Sequence, residues 1–187
     1  ATILSMDENV GNFERGDILI TGATITAVGQ YLNAEGAHVI DATNMIAMPG
    51  MVDSHRHSWE GQLRRINPNA NCLDDYSNAT HFSFAKYYRP ADIYVGNLLT
   101  ALGAIDAGIT TMIDNSHNSR TAAHADAAVE ALLDSGIRAI HASGAPVAGE
   151  WDKAHWPGNW QRLQDKYFTD NPESLVSLAV MAQLEPE

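Results

Sequence analysis

From Ala47 onward the chain alternates short apolar runs with amphipathic ones, and this alternation restricts its possible folds more than any other feature. Ala47–Ser54 is apolar and ends in polar residues, as a buried strand does. A long loop follows to about Lys86. Pro90 starts a helix that keeps Ile93, Leu98, Leu102 and Ile105 on one broad face, and Gly108 stops it. Thr110–Asp114 reads as a second strand. Ser119–Ser135 reads as a helix with Ala122, Val129, Leu132 and Leu133 on its apolar side and Gly136 as its cap. Ile137–Ser143 is a third strand, 159–168 a third helix and Leu175–Leu184 a fourth strand. Four strands alternating with three helices predict parallel βαβ units and an α/β class. No glycine fingerprint follows the first of these strands, where Ser54-His55-Arg56-His57 stands instead, so a dinucleotide fold is disfavoured.

The residues before Pro49-Gly50 follow another pattern. Runs rich in β-branched residues recur at 2–5, 17–20, 23–28, 38–41 and 45–48, separated by Gly, Asn and Asp, with no helical period. The chain is therefore expected to divide into an all-β segment, 1–49, and an α/β domain, 50–187. The strands of the first segment are short for closing a core of their own.

His55 and His57 carry the clearest chemical signal. Two residues apart at a strand end, both imidazoles are expected on one side, with Cβ atoms roughly 7 Å apart. Rings at that spacing can converge on one ion, whereas Arg56 points the other way. Alone, a His-x-His pair is weak, because two unrelated histidines give the same string. Trp59 and Gln62 follow at once and are candidates to stack on and hydrogen-bond a ring, with loop packing as the alternative. His117, just past the second strand, is a candidate substrate contact or a loop histidine bonded to its neighbours. Asp53 and Asp114 are candidates to orient imidazoles. His141 is expected to be inward and hydrogen-bonded, and His124 to be on the surface. His38, His81 and His155 have no motif around them.

The string Met48-Pro49-Gly50-Met51-Val52-Asp53-Ser54-His55-Arg56-His57 closely resembles the first barrel strand of the amidohydrolase superfamily, PG-x-[VI]-D-x-H-x-H. The wider likeness is to its cytosine-deaminase-like and chlorotriazine-hydrolase-like aminohydrolases. Val39–Gly50, Ala107-Gly108-Ile109-Thr110-Thr111 and Ser135-Gly136-Ile137-Arg138-Ala139 resemble the family's lead-in, second and third strands. The resemblance implies the first half of a (β/α)8 TIM barrel, ending after strand four and preceded by a small β-sandwich segment. It implies one divalent ion per complete active site, Zn²⁺ or Fe²⁺, with His55 and His57 as its first two ligands and a metal-activated water as nucleophile. The remaining ligands, the catalytic acid/base and an aspartate are expected on later strands beyond Glu187, so catalytic residues stay unassigned. Dinuclear members carry a modified Lys on strand four. Leu175–Glu187 has none, and Gln183 or Glu185 stands there, Glu185 being a candidate substrate contact or a solvated residue.

The expected activity is hydrolysis of a C–N bond on a cyclic amidine, purine, pyrimidine or triazine. The 187 residues alone are expected to be inactive and to hold a metal weakly if at all, since a catalytic zinc takes three protein ligands. The alternative is a non-catalytic half-barrel module that associates with itself or with a complementing carboxy-terminal half. A formal charge of −12, from 23 acids against 11 bases, disfavours nucleic acid and anionic membranes as partners. A small-molecule substrate and a homo-oligomer or complementing half are the partners expected. Cys72 is the only cysteine, which rules out an internal disulfide and fits a cytoplasmic location. The first residues lack the basic and apolar regions of a signal peptide.

Overall fold

A computed structural model describes residues 1–153 and 156–181, in two compact units, Ala1–Gly50 and Met51–Glu187. In the first, β1 (Thr2–Ile3) pairs in parallel with β4 (Ile46–Ala47). β2 (Asp17–Thr21) and β3 (Thr24–Gly29) form an antiparallel hairpin with an irregularity at Leu19/Ile20. Gly22, at φ +62°, takes the first central position of its two-residue turn, where a positive φ matches the strand twist. These are two separate two-stranded sheets, short of the small β-sandwich expected over 1–49. No strand forms at 38–41, where Val39 and Ile40 are exposed. Within the unit Ile3 is buried, but Ile20, Ile25 and Ile46 are not, so the sheets bury few apolar side chains.

The second unit is built on a four-stranded parallel sheet in the order β5-β6-β7-β8, namely Met51–Arg56, Ile109–Ser116, Arg138–Ser143 and Val176–Val180. Each strand pairs with the next in sequence. A doubly wound sheet reverses its order part-way, and no reversal occurs among the described strands. The fourth strand ends at Val180, and residues 182–187, with Gln183 and Glu185, lie outside the described residues, as does His155. The long segment after β5 holds a 3-10 turn (Ser58–Leu63), α1 (Leu73–Ala79) and a second 3-10 turn (Ala85–Tyr87). α2 (Pro90–Asp106) and α3 (Ala122–Ser135) follow β5 and β6, and α4 (Trp156–Leu163) runs into a wider π turn, Gln164–Phe168.

Local chemistry explains these boundaries. Pro90 opens α2 where its missing N–H costs nothing, and the Asp92 carboxylate accepts the Arg89 backbone N–H at 2.8 Å. The buried face of α2 is Ile93, Gly96, Asn97, Ala101 and Ala104. This corrects the expected face, since Leu102 and Ile105 are exposed together with Val95 and Leu99. Small residues win the inner face because the helix lies close to its neighbours. Met112, Ala125, Val129, Leu132, Ile137, Ala139, Leu163, Phe168 and Val176 form the main core with Ala101 and Ala104. A second cluster, Trp59, Ala85, Ile93, Ala127 and Ala128, underlies the segment after β5.

Candidate metal centre

β5 loses regular register with β6 between Asp53 and Arg56, and this irregularity sets up the histidine pair. The Asp53 carboxylate accepts the His55 backbone N–H at 3.2 Å and the Arg56 Nε–H at 2.8 Å. It thus holds the backbone around His55 and contacts neither imidazole. His57 lies one residue past the strand. Its Nδ1–H donates to the Asn115 carbonyl on β6 at 2.9 Å, so Nε2 carries the lone pair. The Nε2 atoms of His55 and His57 are 3.2 Å apart. Ligand nitrogens about 2.1 Å from a tetrahedral ion lie roughly 3.4 Å from one another, so the pair fits one shared ion. The carbonyl bond to the far nitrogen is the support that metal-bound imidazoles usually have. Burial holds the His57 pKa below its ordinary value, with the Asn115 carbonyl opposing and the His55 charge adding to the shift.

Ser58, next in the chain, is pinned from below. Its N–H donates to Asp114 Oδ1 at 3.1 Å, and Asp114 Oδ2 accepts from His141 Nδ1 at 2.9 Å, all three residues being wholly buried. His141 is therefore a hydrogen-bonded interior residue on β7, and its Nε2 has no partner among the described residues. Asp114 positions the backbone after His57 and bonds an imidazole that is not one of the pair.

Beside the pair lies a second group. The rings of His57 and His117 have centroids 4.1 Å apart, and those of His117 and His81 are 4.7 Å apart. Glu60, on the 3-10 turn, accepts the Tyr76 hydroxyl at 2.5 Å and lies 3.8 Å from His81 Nε2. Burial raises the Glu60 carboxyl to about 7, against the opposing Tyr76 bond. Burial, then the charges of His57 and Arg120, lowers His81 to about 4. His117 falls to about 3 through burial, then His57 and His81. Both imidazoles are thus neutral near pH 7. Glu60, His81 and His117 offer ligand atoms that all lie within 4.8 Å of one another. The buried Arg120 guanidinium frames the region by donating to the Ala85, Ala148 and Glu150 carbonyls.

Of the substrate contacts expected from sequence, His117 is at the site, buried against His57. Trp59 is fully buried, its ring against His81, His117 and Tyr88, so it backs the site instead of presenting a face for stacking. Gln62 is exposed, and its side-chain Nε2–H donates to the Asp92 carbonyl at the start of α2. Glu185 lies outside the described residues. His124 is buried, contrary to the surface position expected. Its Nε2–H donates to the Tyr88 carbonyl and its Nδ1 accepts from Thr121. Sequence reasoning gave no role to Glu60, His81 or Tyr76. Glu60 had one signal, its place three residues after His57, and His81 had none.

No protein-family model matches the chain. It is 32% identical over 139 residues to the 5-methylthioadenosine/S-adenosylhomocysteine deaminase of Thermococcus kodakarensis, covering 74% of this chain and 31% of that protein. It is 28% identical over 139 residues to the 5'-deoxyadenosine deaminase of Methanosarcina barkeri, with the same two coverages. Among solved structures, a mutant of the atrazine chlorohydrolase TrzN from Arthrobacter aurescens TC1, complexed with zinc and atraton, superposes at a TM-score of 0.77. Identity there is 26%, over 95% of this chain and 44% of that one. Guanine deaminase from C. acetobutylicum, with bound guanine, gives 0.70 at 17% identity over 94% and 43%, a likeness of fold. The chain spans about a third of the length of these curated relatives and under half of these solved chains.

Proposed function

Since the chain belongs to the amidohydrolase superfamily, we propose that it is the histidine-bearing part of a metal-dependent hydrolase that cleaves a C–N bond of a cyclic amidine, purine, pyrimidine or triazine. On this reading β5–β8 are the first four strands of a (β/α)8 barrel, residues 1–49 contribute to a small β-sandwich, and the protein is cytoplasmic. The observation that carries the proposal is the 3.2 Å approach of the two Nε2 atoms, with His57 fixed through Nδ1 to the Asn115 carbonyl.

His55 and His57 would hold the ion, zinc or ferrous iron, as two of its ligands. When bound, the ion would supply a Lewis acid able to lower the pKa of water towards about 7. The residues of this chain hold and orient. Asn115 fixes the His57 tautomer, so that the lone pair faces His55. Asp114 anchors the Ser58 N–H and keeps the His57 backbone in place. His117 and Trp59 close the side beside His57 against water. A substrate ring would meet His117 there, with Glu185 as a second contact. Two imidazoles are one short of the usual protein ligand set of a catalytic zinc. Residues 1–187 alone are accordingly expected to be inactive, and the substrate is turned over when further barrel strands join them.

The test is ammonia release from aminated purines, pyrimidines and triazines by the chain joined to the missing strands of a relative, with Zn²⁺ supplied. Turnover is expected, and His57→Ala should lower kcat/KM by about a thousandfold or more, a loss of roughly 4 kcal/mol in transition-state stabilisation. Turnover that survives His57→Ala, or that appears in residues 1–187 alone, would overturn the reading. A second reading, a non-catalytic half-barrel module that pairs with itself or a complementing chain, draws on the open edges of β5 and β8 among the described strands.

A further inference from the structure

Glu60, His81 and His117 come from three separate segments: the 3-10 turn after β5, the stretch after α1, and the end of β6. Their ligand atoms lie within 4.8 Å of one another, and neither His55 nor His57 is part of that set. His81 and His117 are each at most 5% exposed. Burying two imidazoles beside a half-buried carboxyl removes hydration that ordinary packing does not restore, so such groups are expected to be paired or to coordinate a cation. The pairing here is incomplete. Among the described residues His117 Nδ1, Trp59 Nε1 and the Tyr88 hydroxyl are buried without hydrogen-bond partners, and Trp59 lies in ring contact with both Tyr88 and His117.

We propose that Glu60, His81 and His117 form a second binding site for a first-row divalent cation of the zinc or cobalt type, separate from the His55/His57 pair. Two imidazoles and one carboxylate are a donor set that suits such an ion and leaves a fourth position open. Tyr76 completes the arrangement. Its hydroxyl donates to Glu60 Oε1 and its ring meets His81 edge-on, so it orients the carboxylate ligand. Tetrahedral ligation brings donors to about 3.4 Å, so separations of up to 4.8 Å ask for closure of at most about 1.4 Å. The inference rests on the proposed function only in assigning His55 and His57 to a different ion.

The test titrates the 187-residue chain, stripped of metal, with Co²⁺ and then Zn²⁺, following cobalt ligand-field absorbance and heat of binding. The His55→Ala/His57→Ala double variant is expected to keep one cobalt ion with a tetrahedral spectrum. Glu60→Gln should weaken that binding about a hundredfold and His81→Asn at least as much. If Glu60→Gln does not fold, as judged by circular dichroism, Tyr76→Phe serves in its place, because it keeps all three ligands and should weaken the ion about tenfold. A double variant that binds no cobalt, or a cobalt spectrum unchanged by Glu60→Gln, His81→Asn and Tyr76→Phe, would overturn the second site. Neither result bears on turnover, so failure here is distinct from failure of the proposed function.

Discussion

Asp114 shows how much one buried carboxylate organises. One oxygen accepts the Ser58 N–H and the other faces His141 Nδ1, in surroundings with no solvent access. Asp114→Asn keeps the shape but turns an NH2 toward one of two donors. Leaving a buried donor unmatched costs about 1–3 kcal/mol, so a loss of roughly 2 kcal/mol is expected in urea unfolding. An unchanged midpoint would show that Asp114 does not bear on stability. His124 permits a pH test on a histidine outside the proposed ligand sets. Burial is the main reason its pKa lies below the ordinary 6.5, and the Tyr88 carbonyl opposes the shift. A histidine with a depressed folded pKa takes up its proton more readily when unfolded. Its contribution to stability is therefore complete above about 6.5 and is lost as pH falls below that value. In His124→Gln the decline between about pH 6.5 and 5 should be shallower than in the wild type, with thermal melts across that range as the measure. The histidine pair was legible because strand periodicity and flanking residues announce it. His124 and His81 were not, because burial of a helix or loop histidine depends on what packs over it, and Tyr88 and Trp59 reach them from elsewhere in the chain.

At the scale of elements, the position of Glu60 and Trp59 depends on α2. A Cβ at Gly96 would stand 2.4 Å from the Trp59 carbonyl oxygen, and one at Gly61 would stand 2.6 Å from that of Gly96. Backbone rests directly on backbone there, which no flexible side chain can relieve. Gly96→Ala is expected to cost about 3 kcal/mol or more and to displace the turn that carries Glu60. Gly103, on the same helix, meets nothing within 4 Å and is exposed. Gly103→Ala should instead stabilise by about 0.5–1 kcal/mol, since alanine has less chain entropy to lose. Denaturant midpoints moving in opposite directions would bear out this reading of α2, and equal shifts would refute it. The same packing explains why the sequence misled about this helix. Its apolar period was read from Ile93, Leu98, Leu102 and Ile105, of which Ile93 is buried, whereas the rest of the inner face was chosen by closeness and went to Gly96, Asn97, Ala101 and Ala104. The start of α2 and the end of α3 were legible, because Pro90 and Gly136 act through their own backbone geometry.

For the whole molecule, the sheet ends on both sides in unpaired strands among those described, and α2 turns Val95, Leu99 and Leu102 to solvent. Open edges and apolar faces of this kind recruit other chains. The isolated chain is expected to self-associate at micromolar concentration in sedimentation velocity. Val180→Lys, which puts a charge on the exposed edge strand β8, should shift it towards monomer. A monomeric wild type, or a Val180→Lys chain that associates as before, would remove the edges as the cause. The acidic total keeps such contacts soluble and says nothing of where they form. The parallel order of the sheet was legible in the alternation of runs. The two small sheets of residues 1–50 were less so, since pairings of two residues leave hardly any pattern in sequence.

The order of the sheet also sets an order of assembly. The bond that fixes the His57 ring joins residues 58 apart in the chain, whereas the Asp114–His141 contact spans 27. Closing a loop of twice the length costs only about 0.6 kcal/mol more. The long segment must also set its turn beneath α2 before β5 can dock. Folding should therefore nucleate on β6, α3 and β7, with φ-values high at Met112 and Ala139 and near zero at His55, so the histidine pair comes together last. A chain that opens from its native state would release that same strand first, which makes the pair both the last part built and the earliest part lost.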